Sequence, residues 1–253
     1  RDVERSRGLG DVYKRQLYLY PLIAIAAMLA IVFVMDLPHM HKPKQQLSQT
    51  IRIPAGQRAQ MDLPDGSIVW LNSQTTLTYD ENFGKKDRKV TLDGEAYFEV
   101  AHNKEIPFYV QTENIKVQVT GTKFDVCSYK GSNSFIARLI EGSINLLTNN
   151  AKEEKPITSL TKGKYFSMEN GKYKTGEMSS NNALAWMQGI YYFDDVPFKE
   201  LLDKIALYYN YKITVKNPKI LENYRCTGKF KDLDGIEHIL KVIQKDHPFK
   251  YNI

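Results

Sequence analysis

The sequence predicts a mainly β protein that has a single membrane-spanning helix near its amino end and a small α+β region at its carboxyl end. Three observations support this prediction. Residues 17–35 contain 19 residues and no charge. Between residues 49 and 178, short runs of alternating apolar and polar residues are separated by Gly, Asn and Asp. From residue 189 onward, two runs with helical apolar spacing are flanked by strand-like runs.

Residues 17–35, LYLYPLIAIAAMLAIVFVM, are predicted to form the transmembrane helix. At about 1.5 Å per residue they span about 28 Å, close to the hydrocarbon core of a bilayer. Basic residues cluster before this run, so the positive-inside bias leaves the amino end in the cytoplasm and exports the chain after residue 36. A cleaved signal peptide is the alternative. The length of the run, and the absence of a small-x-small cleavage site after it, favour a retained anchor.

The two segments around this predicted helix carry no functional motif. Residues 1–16 show no clear period and are too short for a domain, so we expect a short cytoplasmic remnant or a non-native stretch. Residues 36–48 are predicted to be a polar spacer. His39 and His41 lie in this spacer, but no third ligand is nearby, so no metal site is predicted.

Residues 49–178 are predicted to form an all-β domain of many short strands, either a sandwich or a solenoid-like stack. The run GEAYFEV illustrates the pattern, because alternation places Ala96, Phe98 and Val100 on one face and the glutamates on the other. Glu95 and Glu99 are therefore expected to point away from the core, into water. At about 13 Å apart, they are too distant for the carboxylate pair of a glycosidase.

The remaining residues are predicted to form a linker helix, 179–188, and a β-α-β-β-α-β module, 189–253. In the module, YKITV (211–215), RCTGKF (225–230) and PFKYNI (248–253) are strand candidates. A short exposed strand can accept a strand from another protein, so two of these candidates could form a partner-binding edge. The residues assigned to that edge are Ile213, Thr214, Val215, Cys226, Thr227 and Gly228.

No residue pattern indicates catalysis, a cofactor or a metal, and we expect a protein that is not an enzyme. No Gly-x-Ser-x-Gly elbow occurs, and no glycine-rich loop joins a strand to a helix. The net charge of +6 comes from 35 basic and 29 acidic residues that are interleaved, which argues against nucleic-acid binding. Cys127 and Cys226 are expected to be unpaired, although an exported protein could form a disulfide.

Several short motifs stand out in the β region, namely LPDGSIVWLN (63–72), GEAYFEV (94–100), PFYV (107–110), VTGTKFDV (119–126) and LIEGSI (139–144). The second motif, GEAYFEV, is preceded by Phe83, Arg88, Val90 and Leu92. The motif residues are Leu63, Pro64, Asp65, Gly66, Gly94, Glu95, Phe98, Val100, Pro107, Phe108, Gly121, Thr122, Phe124 and Gly142. With these motifs the chain resembles the FecR-like anti-sigma factors, membrane regulators of cell-surface signalling in Gram-negative bacteria. Residues 189–253 resemble the secretin/TonB short N-terminal-like module fused behind that domain.

The resemblance implies a non-catalytic, single-pass inner-membrane protein whose bulk lies in the periplasm. There it would receive a signal from the signalling domain of a TonB-dependent outer-membrane transducer, in iron or glycan uptake. The signal would control an extracytoplasmic-function (ECF) sigma factor held by a cytoplasmic domain. Only 16 residues precede the predicted anchor, so sigma-factor binding is assigned to no residue here. A non-catalytic envelope binding protein or a secretion-assembly protein is the alternative.

Overall fold

The computed structural model describes residues 21, 23–33, 47–149, 154–178 and 181–253, and the chain divides into two units, Arg1–Gln46 and Leu47–Ile253. In the first unit, residues 21 and 23–33 are helical (α1), and apolar side chains such as Ile23, Met28 and Phe33 are exposed. No helix among the described residues is long and apolar enough to cross a membrane. The predicted span 17–35 runs past both ends of this described helix and stays a prediction. Residues 1–16 and most of the spacer lie outside the described residues.

The second unit begins with 13 strands that form one curled sheet. They are β1 (Ser48–Arg52), β2 (Ala59–Asp62), β3 (Ile68–Leu71), β4 (Thr76–Asp80), β5 (Arg88–Glu99), β6 (Phe108–Gln111), β7 (Ile115–Val119), β8 (Lys123–Ser128), β9 (Ser134–Glu141), β10 (Ser143–Thr148), β11 (Pro156–Thr161), β12 (Lys164–Glu169) and β13 (Lys172–Glu177).

The long strand β5 joins two halves of this sheet. Its first residues pair with β4 and β6, in a half ordered β1-β4-β5-β6-β7-β10-β11. Its last residues pair with β3 and β8, in a half ordered β2-β3-β5-β8-β9-β12-β13, which we call half B. Both halves contribute side chains to one hydrophobic core. At its centre Phe98 stacks on Phe124 at 5.1 Å and meets the edge of Phe108 at 5.9 Å. The β region is thus one large curled sheet around a shared core, and the choice between a sandwich and a solenoid-like stack stays a prediction.

The sequence patterns misassign two features of the β region. Residues 88–92 and 95–100 appear in the sequence as separate runs, but β5 continues through Gly94, which adopts φ +136°. The strand β13 is not predicted, because most of its residues are exposed on both faces and so show no apolar alternation. Pairing with β12 alone orders it.

The carboxyl-terminal region packs a second hydrophobic core from two strands and three helices. Its elements are the 3₁₀ helix Asn181–Gln188, β14 (Ile190–Pro197), α2 (Phe198–Tyr209), α3 (Lys219–Asn223), β15 (Arg225–Lys231), the 3₁₀ helix Asp232–Asp234 and α4 (Gly235–Asp246). The two strands pair antiparallel. The helices α2 and α4 lie where apolar spacing predicts them, and the first 3₁₀ helix occupies the position of the predicted linker helix. The short helix α3 is not predicted.

The predicted strands 211–215 and 248–253 are wrong as paired strands. Within residues 181–253, β14 and β15 form the one sheet, and both of these segments lie outside it. Their alternation nevertheless has a physical basis, because Ile213 and Val215 of the first and Phe249 and Tyr251 of the second pack, half buried, against the second core. Alternation reports which side chains are covered, and it does not report whether a neighbouring strand is present.

Candidate functional site

The outer face of half B is covered by the carboxyl-terminal region. Trp70, Tyr97, Asp125 and Arg138 lie in one row across four neighbouring strands on that face. Tyr97 belongs to the second hydrophobic core, where it packs with residues of the carboxyl-terminal region such as Trp186. The sheet face that would otherwise be in water is therefore an internal interface.

The prediction that the glutamates of β5 point into water is wrong for Glu95, which is only 4% exposed. Alternation places Glu95 and Tyr97 correctly, on the face opposite Phe98, but the carboxyl-terminal region then covers that face. Glu99 lies nearer the margin, is half buried, and forms an ion pair with Lys123 at 3.2 Å.

A buried ionic cluster lies at the centre of this interface. The Arg138 guanidinium contacts Asp125 Oδ2 at 2.5 Å and Glu95 Oε1 at 3.8 Å, so two carboxylates share one cation. Asn72 Nδ2 donates a hydrogen bond to Glu95 Oε2 at 2.6 Å, and the hydroxyl of Tyr208 donates to the same oxygen at 3.5 Å. Complete burial raises the pKa of Asp125 to about 7, although the Arg138 guanidinium acts in the opposite direction. The cluster therefore joins β5, β8 and β9 of half B to helix α2.

The carboxyl end of α2 makes a second set of contacts with the β region. The carbonyl of Tyr208 accepts hydrogen bonds from Gly56 N at 2.9 Å and from Ser73 Oγ at 3.1 Å. The side-chain amide of Gln74 donates to the carbonyl of Leu207. The aromatic ring of Tyr208 also stacks on that of Tyr191 at 4.2 Å. These bonds reach carbonyls of the last helical turn, of which that of Leu207 also accepts from the Asn210 N–H at 3.4 Å, and they fix the end of α2 against the sheet.

The charged residues Asp65 and Arg88 of the sequence motifs have a structural role in the β region. Arg88 is 2% exposed and reaches Asp65 Oδ2 at 3.2 Å, while Asp65 also accepts from Ser67 N and Ser67 Oγ. This pair fixes the turn before β3 to the start of β5. The apolar motif residues lie in the first core, namely Leu63, Phe98, Val100, Phe108 and Phe124.

Three of the four motif glycines, Gly94, Gly121 and Gly142, occur where one segment closely approaches another, whereas a Cβ on Gly66, at φ +82°, would meet nothing within 4 Å. A Cβ on Gly121 would lie 2.4 Å from His102 Nδ1, and one on Gly142, at φ +92°, would lie 2.9 Å from Thr122 Oγ1. Thr122 Oγ1 donates to the carbonyl of Ser143 at 3.1 Å. Such distances exclude any side chain without movement of the neighbours, so these residues shape the sheet.

Gly94→Ala tests this close packing within β5. A Cβ at this position would lie 2.6 Å from Thr75 Cα, and φ +136° disfavours any L-residue, so we expect the free energy of unfolding to fall by about 2–3 kcal/mol. Gly171→Ala is the matched control, because Gly171 also has a positive φ but nothing within 4 Å. Urea unfolding should show a clearly smaller loss for the control, and equal losses would contradict the packing argument.

The residues predicted to form a partner-binding edge lie in two places. Thr214 is exposed between the half-buried Ile213 and Val215, in a segment with which no described strand pairs. In β15, Cys226 is buried in the second core, Thr227 is exposed and Gly228 is half buried. One side of β15 pairs with β14, and no described strand pairs with its other side. The segment 211–215 and the unpaired side of β15 thus both belong to the carboxyl-terminal region.

Sequence reasoning did not identify the interface residues Asn72, Ser73, Gln74, Asp125 and Arg138. Asp125 and Arg138 carry a usable signal, because they alternate with the core residues of their strands and so must share one face of the sheet. The loop residues at positions 72–74 carry no comparable pattern. Cys127 is half buried and Cys226 is buried, and the two are unpaired in the structure. Within the described residues, no group of three His, Cys, Asp or Glu side chains could hold a metal ion.

A curled β sheet that carries an α+β region on a buried polar interface defines a mainly β protein with a second, α+β core. Family models assign it further: the model of the FecR protein matches residues 49–145, and the model of the FecR carboxyl-terminal region matches residues 190–253. The chain belongs to the FecR-like anti-sigma factor family.

Two solved structures support this assignment. They are crystal structures, at 2.50 Å and 1.65 Å resolution, of a proposed anti-sigma factor from Parabacteroides distasonis. Each is 25% identical to this chain with a TM-score of 0.70; they cover 82% and 81% of this chain and 95% and 94% of their own. No curated protein matches the chain.

Proposed function

We propose that this chain is the signal-receiving part of an anti-sigma regulator, anchored in the inner membrane with its amino end in the cytoplasm and its bulk in the periplasm. The family and the structural neighbours support an anti-sigma or signal-regulating role. The apolar side chains exposed along α1, in the middle of the uncharged run, support the anchor. The signalling domain of a TonB-dependent outer-membrane transducer is the proposed partner. The regulated protein is an ECF sigma factor, bound through a cytoplasmic domain.

The unpaired segment 211–215 is the observation that carries this proposal. It belongs to no helix or strand, its Ile213 and Val215 side chains are half buried against the second core, and Thr214 is exposed. An incoming strand that adds to a free edge gains main-chain hydrogen bonds without displacing any existing pair. The side of β15 that faces away from β14 offers a second position for strand addition, since no described strand pairs with it. Strand addition suits a partner that is itself a small sheet domain.

Thr214→Pro tests the proposal, because proline removes the N–H at the centre of the segment and leaves the half-buried side chains in place. We expect the affinity for the transducer's signalling domain, measured by calorimetry, to fall at least about tenfold. Thr227→Pro tests the edge of β15 in the same way. Thr214→Val is the control, because it keeps the N–H and should bind as the parent chain does. Undiminished binding by both proline variants, each shown to be folded by circular dichroism, would remove the proposal.

A further inference from the structure

We infer that Ser73 and Gln74, in the loop between β3 and β4, are positioning residues that hold the segment 211–215 ready for strand addition. They act through the carboxyl end of α2, which immediately precedes that segment. The inference rests on the proposed function, because it explains why the segment 211–215, the proposed edge for strand addition, is held in place. Neither residue touches the edge itself in the described contacts, and neither belongs to a motif of the sequence.

The first step is the way in which α2 ends. The last carbonyls of a helix have no partner within the helix and must find one elsewhere. In this chain the β region supplies the donors to the Tyr208 carbonyl, Ser73 Oγ and Gly56 N. The Gln74 amide adds a second donor to the Leu207 carbonyl, which also accepts from the Asn210 N–H at 3.4 Å. Ser73 is fully buried, so its hydroxyl has no competing water.

The second step is the backbone conformation on the two sides of this contact. Gln74 has φ +56°, and Asn210, which caps α2, has φ +58°. Asparagine is common at such a helix end, but glutamine has no special tolerance for the left-handed region. Residues held in that region need surroundings that over-determine them, and they concentrate at functional contacts. The strained backbone at Gln74 aims its amide at the end of α2.

The third step connects the loop to the centre of the sheet. The backbone N–H of Ser73 donates to Asn72 Oδ1 at 2.8 Å, and Asn72 Nδ2 donates to Glu95 Oε2 at 2.6 Å. The hydroxyl of Tyr129 donates to the carbonyl of Ser73 at 2.8 Å. These bonds anchor the loop to β5 and to the end of β8, so it is a rigid support for α2.

The fourth step concerns how the position of residues 211–215 depends on the loop that contains Ser73 and Gln74. After Asn210, the Tyr211 N–H donates to the carbonyl of Ala206 at 2.9 Å, and residues 211–215 then belong to no helix or strand. No described strand pairs with residues 211–215, so the half-buried side chains of Ile213 and Val215 and the end of α2 determine where the segment lies. A segment that is already ordered loses less conformational entropy when a partner strand adds to it.

The test uses Gln74→Ala in the full chain and the double variant Ser73→Ala/Gln74→Ala. Gln118→Ala is the matched control, because it removes one side-chain amide hydrogen bond, to Tyr109, in a β region remote from α2. Two quantities are measured: the ¹⁵N order parameters of residues 211–216 without partner, and the affinity for the transducer's signalling domain. We expect the order parameters to fall from about 0.85 towards 0.6 in both test variants. The affinity should fall about threefold to fivefold for Gln74→Ala, about tenfold for the double variant, and not at all for the control.

The outcomes separate this inference from the proposed function. Unchanged order parameters in Gln74→Ala would overturn the inference, whatever Thr214→Pro does to binding. Lower order parameters with unchanged affinity would overturn it too, because the loop would then hold the segment without serving the partner. If Thr214→Pro and Thr227→Pro both bind normally, the proposed edge fails, while the order parameters still report whether the loop holds the segment. Should the double variant not fold, the single variant, at a half-buried position, decides the question.

Discussion

Replacing Arg88 with methionine is expected to remove most of the stability of the β region. The guanidinium donates hydrogen bonds to the carbonyls of Ile106 at 2.7 Å, Ala101 at 2.7 Å and Asn103 at 3.0 Å, and it pairs with Asp65. Methionine fills the apolar part of the space but leaves these carbonyls without a donor and a buried carboxylate without a cation. Breaking a buried pair from one side costs about 3–5 kcal/mol, a large part of the 5–15 kcal/mol that is typical of a whole domain.

The measurement is the midpoint of urea unfolding, followed by tryptophan fluorescence and far-ultraviolet circular dichroism. Lys89→Met is the control, since Lys89 is the next residue of β5 and is exposed, so its replacement should shift the free energy by no more than about 0.5 kcal/mol. Arg88→Lys should fall between the two, because an ammonium keeps the charge opposite Asp65 but cannot reach three carbonyls in different directions. If Arg88→Met unfolds at the same urea concentration as Lys89→Met, the guanidinium does not stabilise this turn.

The strand facing of the β region could be predicted from the sequence, whereas the environment of each face could not. Alternation along β5 places Glu95 and Tyr97 opposite Phe98, and the structure agrees. The prediction of water beside Glu95 is wrong because the residues that cover it belong to the distant carboxyl-terminal region, and Tyr208, for example, lies 113 positions away in the sequence. A pattern of period two is local, and it contains no information about which other region packs on the polar face.

In the carboxyl-terminal region the sequence predicts the helices correctly and the strand pairing wrongly. Both amphipathic helices are predicted well, because helical spacing and hydrogen bonding are contained within one segment. Strand pairing needs a second segment, and the alternation of Ile213 and Val215 arises from packing on the second core alone. The motifs that contain the glycines, Asp65 and Arg88 can be recognised in the sequence. The contacts that require these residues, such as the close approach of Gly121 to His102, exist only in the folded chain.

Replacing Arg138 with leucine is expected to loosen the carboxyl-terminal region from half B. The substitution leaves the carboxylates of Glu95 and Asp125 buried beside each other with no cation in contact. At pH 8 we expect the free energy of unfolding to fall by about 3–5 kcal/mol, because an uncompensated buried charge costs more than the pair contributes. Lys123→Leu is the control, since Lys123 forms a more exposed ion pair with Glu99 and its loss should cost at most about 1 kcal/mol.

The pH dependence of this loss identifies the carboxyl groups as its cause. In the parent chain the folded pKa of Asp125, about 7, lies above the ordinary value of 3.8, so its contribution to stability is complete below pH 3.8 and is lost as the pH rises through 7. Arg138 is the main group that lowers this pKa, so its removal raises the pKa of Asp125 further and the loss should grow between pH 5 and pH 8. Adding Asp125→Asn to Arg138→Leu should recover part of the stability at pH 8 and flatten the profile. A loss that is the same at pH 5 and pH 8, and that Asp125→Asn does not reduce, would show that Arg138 acts by packing rather than by charge.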